Sequence, residues 1–98
     1  MEVKQFSGFF EAIADDPRIN TTHVCLYMAL LQYWKEQDFV CPVHVFSHGI
    51  MQRAKILSSA TYHRSIRDLH NFGYIRYEPS YKKNQGSKIY MAWDKLGA

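Results

Sequence analysis

Apolar residues near the start of the chain recur at helical spacing: Phe6, Phe9, Phe10 and Ile13 stand at i, i+3, i+4 and i+7. Ser7 is the candidate cap. Asp15-Asp16-Pro17 closes the element, because proline disfavours helical geometry in the residue before it, so the expected span is about 6–15. Asn20-Thr21-Thr22 then offers caps for a longer helix from about His23 to Gln37. One face of it carries Val24, Tyr27, Met28, Leu31 and Trp34, and the opposite face carries Leu26, Leu30 and Tyr33. A helix that is apolar all round must be buried on both sides. Either the first helix or a second copy of the chain would supply that cover, and a homodimer is expected.

The period changes after Pro42, a residue that marks a strand edge or the first strand position. Val43 to Phe46 reads as a short strand, and Ser47 as the cap of a brief helix over His48 to Lys55 with Ile50, Met51 and Ala54 turned inward. Ile56 to Ser59 is a tight turn. The helix that follows, about 59–72, has Tyr62, Ile66 and Leu69 on one meridian and Gly73 at the left-handed position that terminates helices. Tyr74 to Glu78 is rich in β-formers and bounded by Pro79. Lys88 to Trp93 alternates Ile89, Met91 and Trp93 against Lys88, Tyr90 and Ala92, the period of a half-buried strand. The two runs form a hairpin around a polar, basic loop at 80–87.

The expected order is therefore helix, helix, strand, helix, turn, helix, strand, loop, strand. Its most specific stretch is Ser58-Ser59-Ala60-Thr61-Tyr62-His63-Arg64-Ser65-Ile66-Arg67-Asp68-Leu69-His70-Asn71-Phe72-Gly73-Tyr74-Ile75. This resembles the recognition helix and first wing strand of bacterial winged helix-turn-helix regulators, in which a Leu-x-x-x-Gly-Tyr-Ile ending leads into the wing. The resemblance covers about 22–93, nearly three-quarters of the chain. The chain is similar to small winged-helix proteins carried on bacterial mobile elements and, more distantly, to replication-initiator winged helices. The fold so implied is mainly α with a small antiparallel β-sheet, a winged helix-turn-helix with an extra N-terminal helix, in a single domain over 1–98. The activity implied is sequence-specific binding of double-stranded DNA as a transcriptional regulator or mobile-element accessory factor. Its recognition helix, about 59–72, would lie in the major groove, with the wing on a neighbouring groove or backbone.

The residues carry chemistry suited to that role. Ala60, Arg64, Arg67 and Asn71 share the face opposite Tyr62, Ile66 and Leu69, with His63 on its shoulder. Arginine grips guanine O6 and N7 in bidentate fashion. Ser58, Ser59 and Thr61 stand at the helix N-terminus, where hydroxyls and backbone N–H groups favour phosphate. Asp68 is placed to pair with Arg64 one turn earlier. On the wing, Lys82, Lys83, Asn84 and Lys88 suit phosphates or the minor groove. A solvated basic face and a solubilising loop are the plainer readings of the same residues.

Charge adds to this picture. The net charge is only +3, but Met1 to Ser47 sums to −3 and His48 to Tyr90 to +6. A basic half suggests a polyanion docking on one face. The chain's 98 residues, 47% of them apolar, suit one modest core, and fifteen aromatics are a heavy load. Phe6, Phe9, Phe10, Tyr27 and Trp34 read as core, while Tyr74, Tyr77, Tyr81 and Tyr90 are candidates for a base-stacking surface. No run is long enough for a membrane span, and no signal-peptide core follows the initial Met-Glu-Val-Lys. With only Cys25 and Cys41, a disulfide framework is excluded and a reducing, cytoplasmic setting is expected. Cys41, His44 and His48 have zinc-like spacing but are one ligand short, and Cys25, His63 or His70 would complete the set only by chance of the fold. No nucleophile elbow, paired carboxylates or phosphate loop accompanies the Ser, His and Asp residues. The expectation is no enzyme, no metal, no cofactor, no small-molecule ligand and no membrane. The alternative to DNA binding is a protein-interaction winged helix.

Overall fold

A computed structural model describes the backbone of residues 2–80 and 86–91, and side chains from residue 8 onward within those ranges. Among the described residues there are four helices and three strands: α1 (Glu2–Ala14), α2 (Thr21–Glu36), β1 (Val43–Val45), α3 (Ser47–Ala54), α4 (Ser59–Asn71), β2 (Ile75–Glu78) and β3 (Ser87–Met91). The fold is mainly helical with one small antiparallel sheet, ordered β1-β3-β2.

Helix α2 is the hub. Asn20 caps it: its side-chain oxygen accepts from the His23 N–H (3.1 Å), and His23 Nδ1 accepts from the Asn20 N–H (3.0 Å), a reciprocal capping box. Helices α3 and α4 pack on α2, and Phe9 of α1 stacks on Tyr27 with centroids 3.9 Å apart and rings nearly parallel. Phe9 also meets Tyr74 edge-on at 5.6 Å, so one aromatic side chain pins α1 to two core residues. Of the two covers open to α2, the chain itself supplies one, so the apolar residues of this helix give no reason for a second copy. Leu26 and Leu30 are fully buried within one chain, as are Tyr27, Leu31 and Trp34. Helices α1, α3 and α4 cover the apolar residues of α2, while its Cys25, Gln32, Lys35 and Glu36 stay exposed.

The sheet reads as its period predicts. Val43, Val45, Ile75, Ile89 and Met91 face the core, while His44, Arg76 and Lys88 face outward. The register sets Val43 opposite Ile89, Tyr77 opposite Ile89 on the other side, and Lys88 between His44 and Glu78. Pro42 precedes an edge strand, where its missing N–H is tolerated. Gly86 is required immediately before β3. Its φ is +67°, and an added Cβ would come within 2.7 Å of the Val45 carbonyl oxygen.

Several local expectations need correction. Helix α1 begins at Glu2, which puts Ser7 inside the helix and not at its cap. Phe10 is 48% exposed and not core, because Phe9 alone points at Tyr27 and Tyr74; the Phe6 side chain lies outside the described residues. Ser47 is the first residue of α3; the cap position belongs to Phe46, which makes no side-chain cap bond. Trp93 also lies outside the described residues.

Candidate nucleic-acid interface

Helix α3 ends with Lys55 in the left-handed conformation (φ 61°), the Ile56 N–H donating to the Met51 carbonyl at 3.0 Å. Four residues, Lys55 to Ser58, then carry the chain into α4. Ser58 caps α4, its hydroxyl oxygen accepting from the Thr61 N–H at 3.2 Å. At the far end, Gly73 (φ 89°) donates to the His70 carbonyl at 3.1 Å and Tyr74 to the Leu69 carbonyl at 2.9 Å, a paired C-terminal lock. Helix α4 is thus fixed at both ends. Tyr62, Ser65, Ile66 and Leu69 anchor its inner face.

The outer face is the predicted one. Ser58, Ser59, Ala60, Arg64, Arg67 and Asn71 are exposed, and Thr61 and His63 are half-buried on its flanks. Asp68 does not pair with Arg64. Its carboxylate accepts instead from His23 Nε2 at 2.9 Å, a bond between α4 and α2. The tautomer follows from the capping box, since Nδ1 accepts from Asn20 and the ring proton must therefore sit on Nε2.

This arrangement changes what the arginines can do. Arg18 makes a two-pronged bond to Asp16 (2.8 and 2.9 Å), Arg53 to Glu36 (2.7 and 2.9 Å), and Arg76 reaches Glu78 Oε2 through both Nε and Nη2 (3.1 and 2.6 Å). Each also lies over a ring: Arg18 on Phe72, Arg53 on Tyr33, Arg76 on Tyr90. The Arg18 guanidinium, with the Tyr74 hydroxyl donating at 2.7 Å, holds the Asp16 carboxyl far below the usual range. Arg53 likewise lowers Glu36 to about 2. Of the chain's five arginines, only Arg64 and Arg67 have no carboxylate partner among the described residues. Both stand on the exposed face of α4.

The remaining candidates divide. Lys88 is exposed on β3, on the sheet's outward side and opposite Glu78, so it belongs to a different surface element from the α4 stripe. Lys82, Lys83 and Asn84 lie outside the described residues, as does Tyr81. Tyr74 is buried and bonded to Asp16, which removes it from any stacking surface, while Tyr77 and Tyr90 are half-buried. Among the described residues no three His, Cys, Asp or Glu side chains converge to hold a metal ion, and no helix is long and apolar enough to cross a membrane.

Two residues beside the stripe escaped the sequence reading. Lys55 and Leu57 are exposed in the turn that feeds α4, and Leu57 is 97% exposed. They border an open cavity of about 480 Å³ lined also by His48, Met51, Gln52 and Ile56. An apolar residue in a tight turn between helices reads as core, so its sequence carried no signal of exposure. Compared with known proteins, the chain matches no family model, no curated protein and no solved structure.

Proposed function

We propose that the chain is a winged helix-turn-helix domain that binds double-stranded DNA sequence-specifically, as a transcriptional regulator or mobile-element accessory factor. Helix α4 is the recognition helix and the β2–β3 hairpin the wing. The element order, the four-residue turn between α3 and α4, and a sheet in which β3 lies between β1 and β2 all support this reading. The observation that carries it is the segregation of arginines: three are neutralised in place, and the two left with unspent charge share the outer face of α4. Arg64 and Arg67 grip guanine edges or phosphates, and Ser59 and Thr61 hold backbone phosphates beside them. Ser58 keeps its hydroxyl proton free to donate, because its cap bond uses the oxygen as acceptor. The proposal does not depend on a second copy.

The test is a fluorescence-anisotropy titration with a random-sequence duplex. If about five phosphates are neutralised, affinity falls about 10²–10³-fold between about 50 and 200 mM salt. Negligible binding at both salts contradicts the proposal. One observation favours a second reading, a protein-interaction domain: Leu57 and Phe46, at 97% and 54% exposure, are large apolar side chains left uncovered. That reading predicts duplex binding that is weak at both salts and indifferent to loss of Arg64 and Arg67.

A further inference from the structure

Resting on the DNA reading of α4, we infer that His63 is a specificity-determining residue, and that it reads an exocyclic amine on a base edge, adenine N6 or cytosine N4, by accepting a hydrogen bond at Nε2. The argument begins with its other ring nitrogen. His63 Nδ1 lies 2.9 Å from the Ser59 carbonyl oxygen, one turn earlier on α4. A carbonyl only accepts, so the bond requires the proton on Nδ1. The neutral ring then has a bare lone pair on Nε2, and no group among the described residues takes it. The ring is also held in place: Tyr62 meets it edge-on with centroids 5.1 Å apart, and the Ser59 hydroxyl lies 3.4 Å from the same Nδ1.

The consequence is chemical complementarity within one face. Arg64 and Arg67 can only donate, which suits guanine O6 and N7. Asp68, the one carboxylate on this helix, is spent on His23. In its Nδ1–H neutral form, His63 therefore supplies an acceptor on the shoulder of a donor stripe. In the major groove the only donors are adenine N6 and cytosine N4, so a site read by this helix combines guanines with one amine-bearing base.

Two measurements test this. The first is long-range proton–nitrogen correlation NMR of the free chain at about pH 8, above the range in which imidazoles protonate. It should show His63 protonated on Nδ1; the Nε2–H tautomer would overturn the inference. The second uses the duplex that the wild-type chain selects from a randomised library. In it each adenine is replaced in turn by purine and each cytosine by 2-pyrimidinone, which removes the exocyclic amine. At one position the wild type should lose about three- to tenfold in affinity, the worth of a single hydrogen bond, and His63→Ala should show no further loss there. Equal sensitivity of the two proteins at every position overturns the inference while leaving the DNA reading in place, provided binding keeps its salt dependence. Failure to select any duplex overturns both.

Discussion

Tyr27 shows how a single side chain can be well packed and still poorly satisfied. Its ring is buried and stacked on Phe9, yet its hydroxyl has no hydrogen-bond partner among the described residues. Burial also pushes its ionisation well above the usual phenol range. An unsatisfied buried hydroxyl costs about 1–3 kcal/mol. Tyr27→Phe keeps the stack and removes that cost, and denaturant unfolding should show a gain of about 1 kcal/mol. Lys55 stores strain of another kind, since a non-glycine residue at φ 61° sits in the left-handed region. Lys55→Gly relieves it and should raise stability by up to about 1 kcal/mol, read by the same unfolding curve. Gly86→Ala should do the opposite, losing about 1–3 kcal/mol, because both the positive φ and the Val45 carbonyl oppose a Cβ there. Sequence alone identified the Asn20-Thr21-Thr22 cap and the Gly73 stop as punctuation because their chemistry is local; Ser58, read only for its phosphate chemistry, is the cap of α4 as well. Sequence alone misplaced Ser7 and Ser47 because a serine's preference for caps cannot overrule where the flanking helix packs.

At the scale of elements, carboxylate bonds tie the helices and loops to one another. Asp16 joins the α1–α2 loop to Tyr74, Asp68 joins α4 to the capped start of α2, and Glu36 joins α2 to Arg53 of α3. Because the Glu36 pKa falls from 4.5 to about 2 in the folded chain, its contribution is present above pH 4.5 and is lost as pH falls through about 2. Asp16 has the same sign. Thermal melts between pH 7 and pH 2 should therefore show a shallower acid loss for Glu36→Gln than for the wild type; an unchanged acid limb would remove the pair from the account. Helix α1 depends on Phe9, and Phe9→Ala should cost about 3–5 kcal/mol, with hydrogen exchange in α1 rising more than in α4. The order of elements was legible because hydrophobic period is a strong local signal. The cover of α2 was not, since an all-apolar helix reads identically whether its neighbours come from its own chain or another.

Across the whole molecule, the sequence carries a charge imbalance between its halves, but the structure determines which of those charges remain available. The pairs Asp16–Arg18 and Arg76–Glu78 are two residues apart, a spacing within reach of a sequence reading; Glu36–Arg53 and His23–Asp68 join residues far apart in the chain and are not. The α4 stripe was thus readable as a set of residues, while the release of Arg64 by the His23–Asp68 bond was visible only in three dimensions. That bond has a testable effect of its own. His23→Phe should free Asp68 to compete for Arg64, weakening duplex binding without changing the net charge of a neutral-histidine chain, as read by anisotropy at fixed salt.

The central claim is that unpaired arginines, and not positive charge in general, make the interface. The most direct measurement compares the salt dependence of random-duplex binding for Arg64→Ala with Arg67→Ala combined, and for Arg53→Gln. The account predicts that losing Arg64 and Arg67 flattens the slope of log affinity against log salt by about one to two, while losing Arg53, already held by Glu36, leaves that slope unchanged. Equal flattening in both proteins, or none in either, would contradict it.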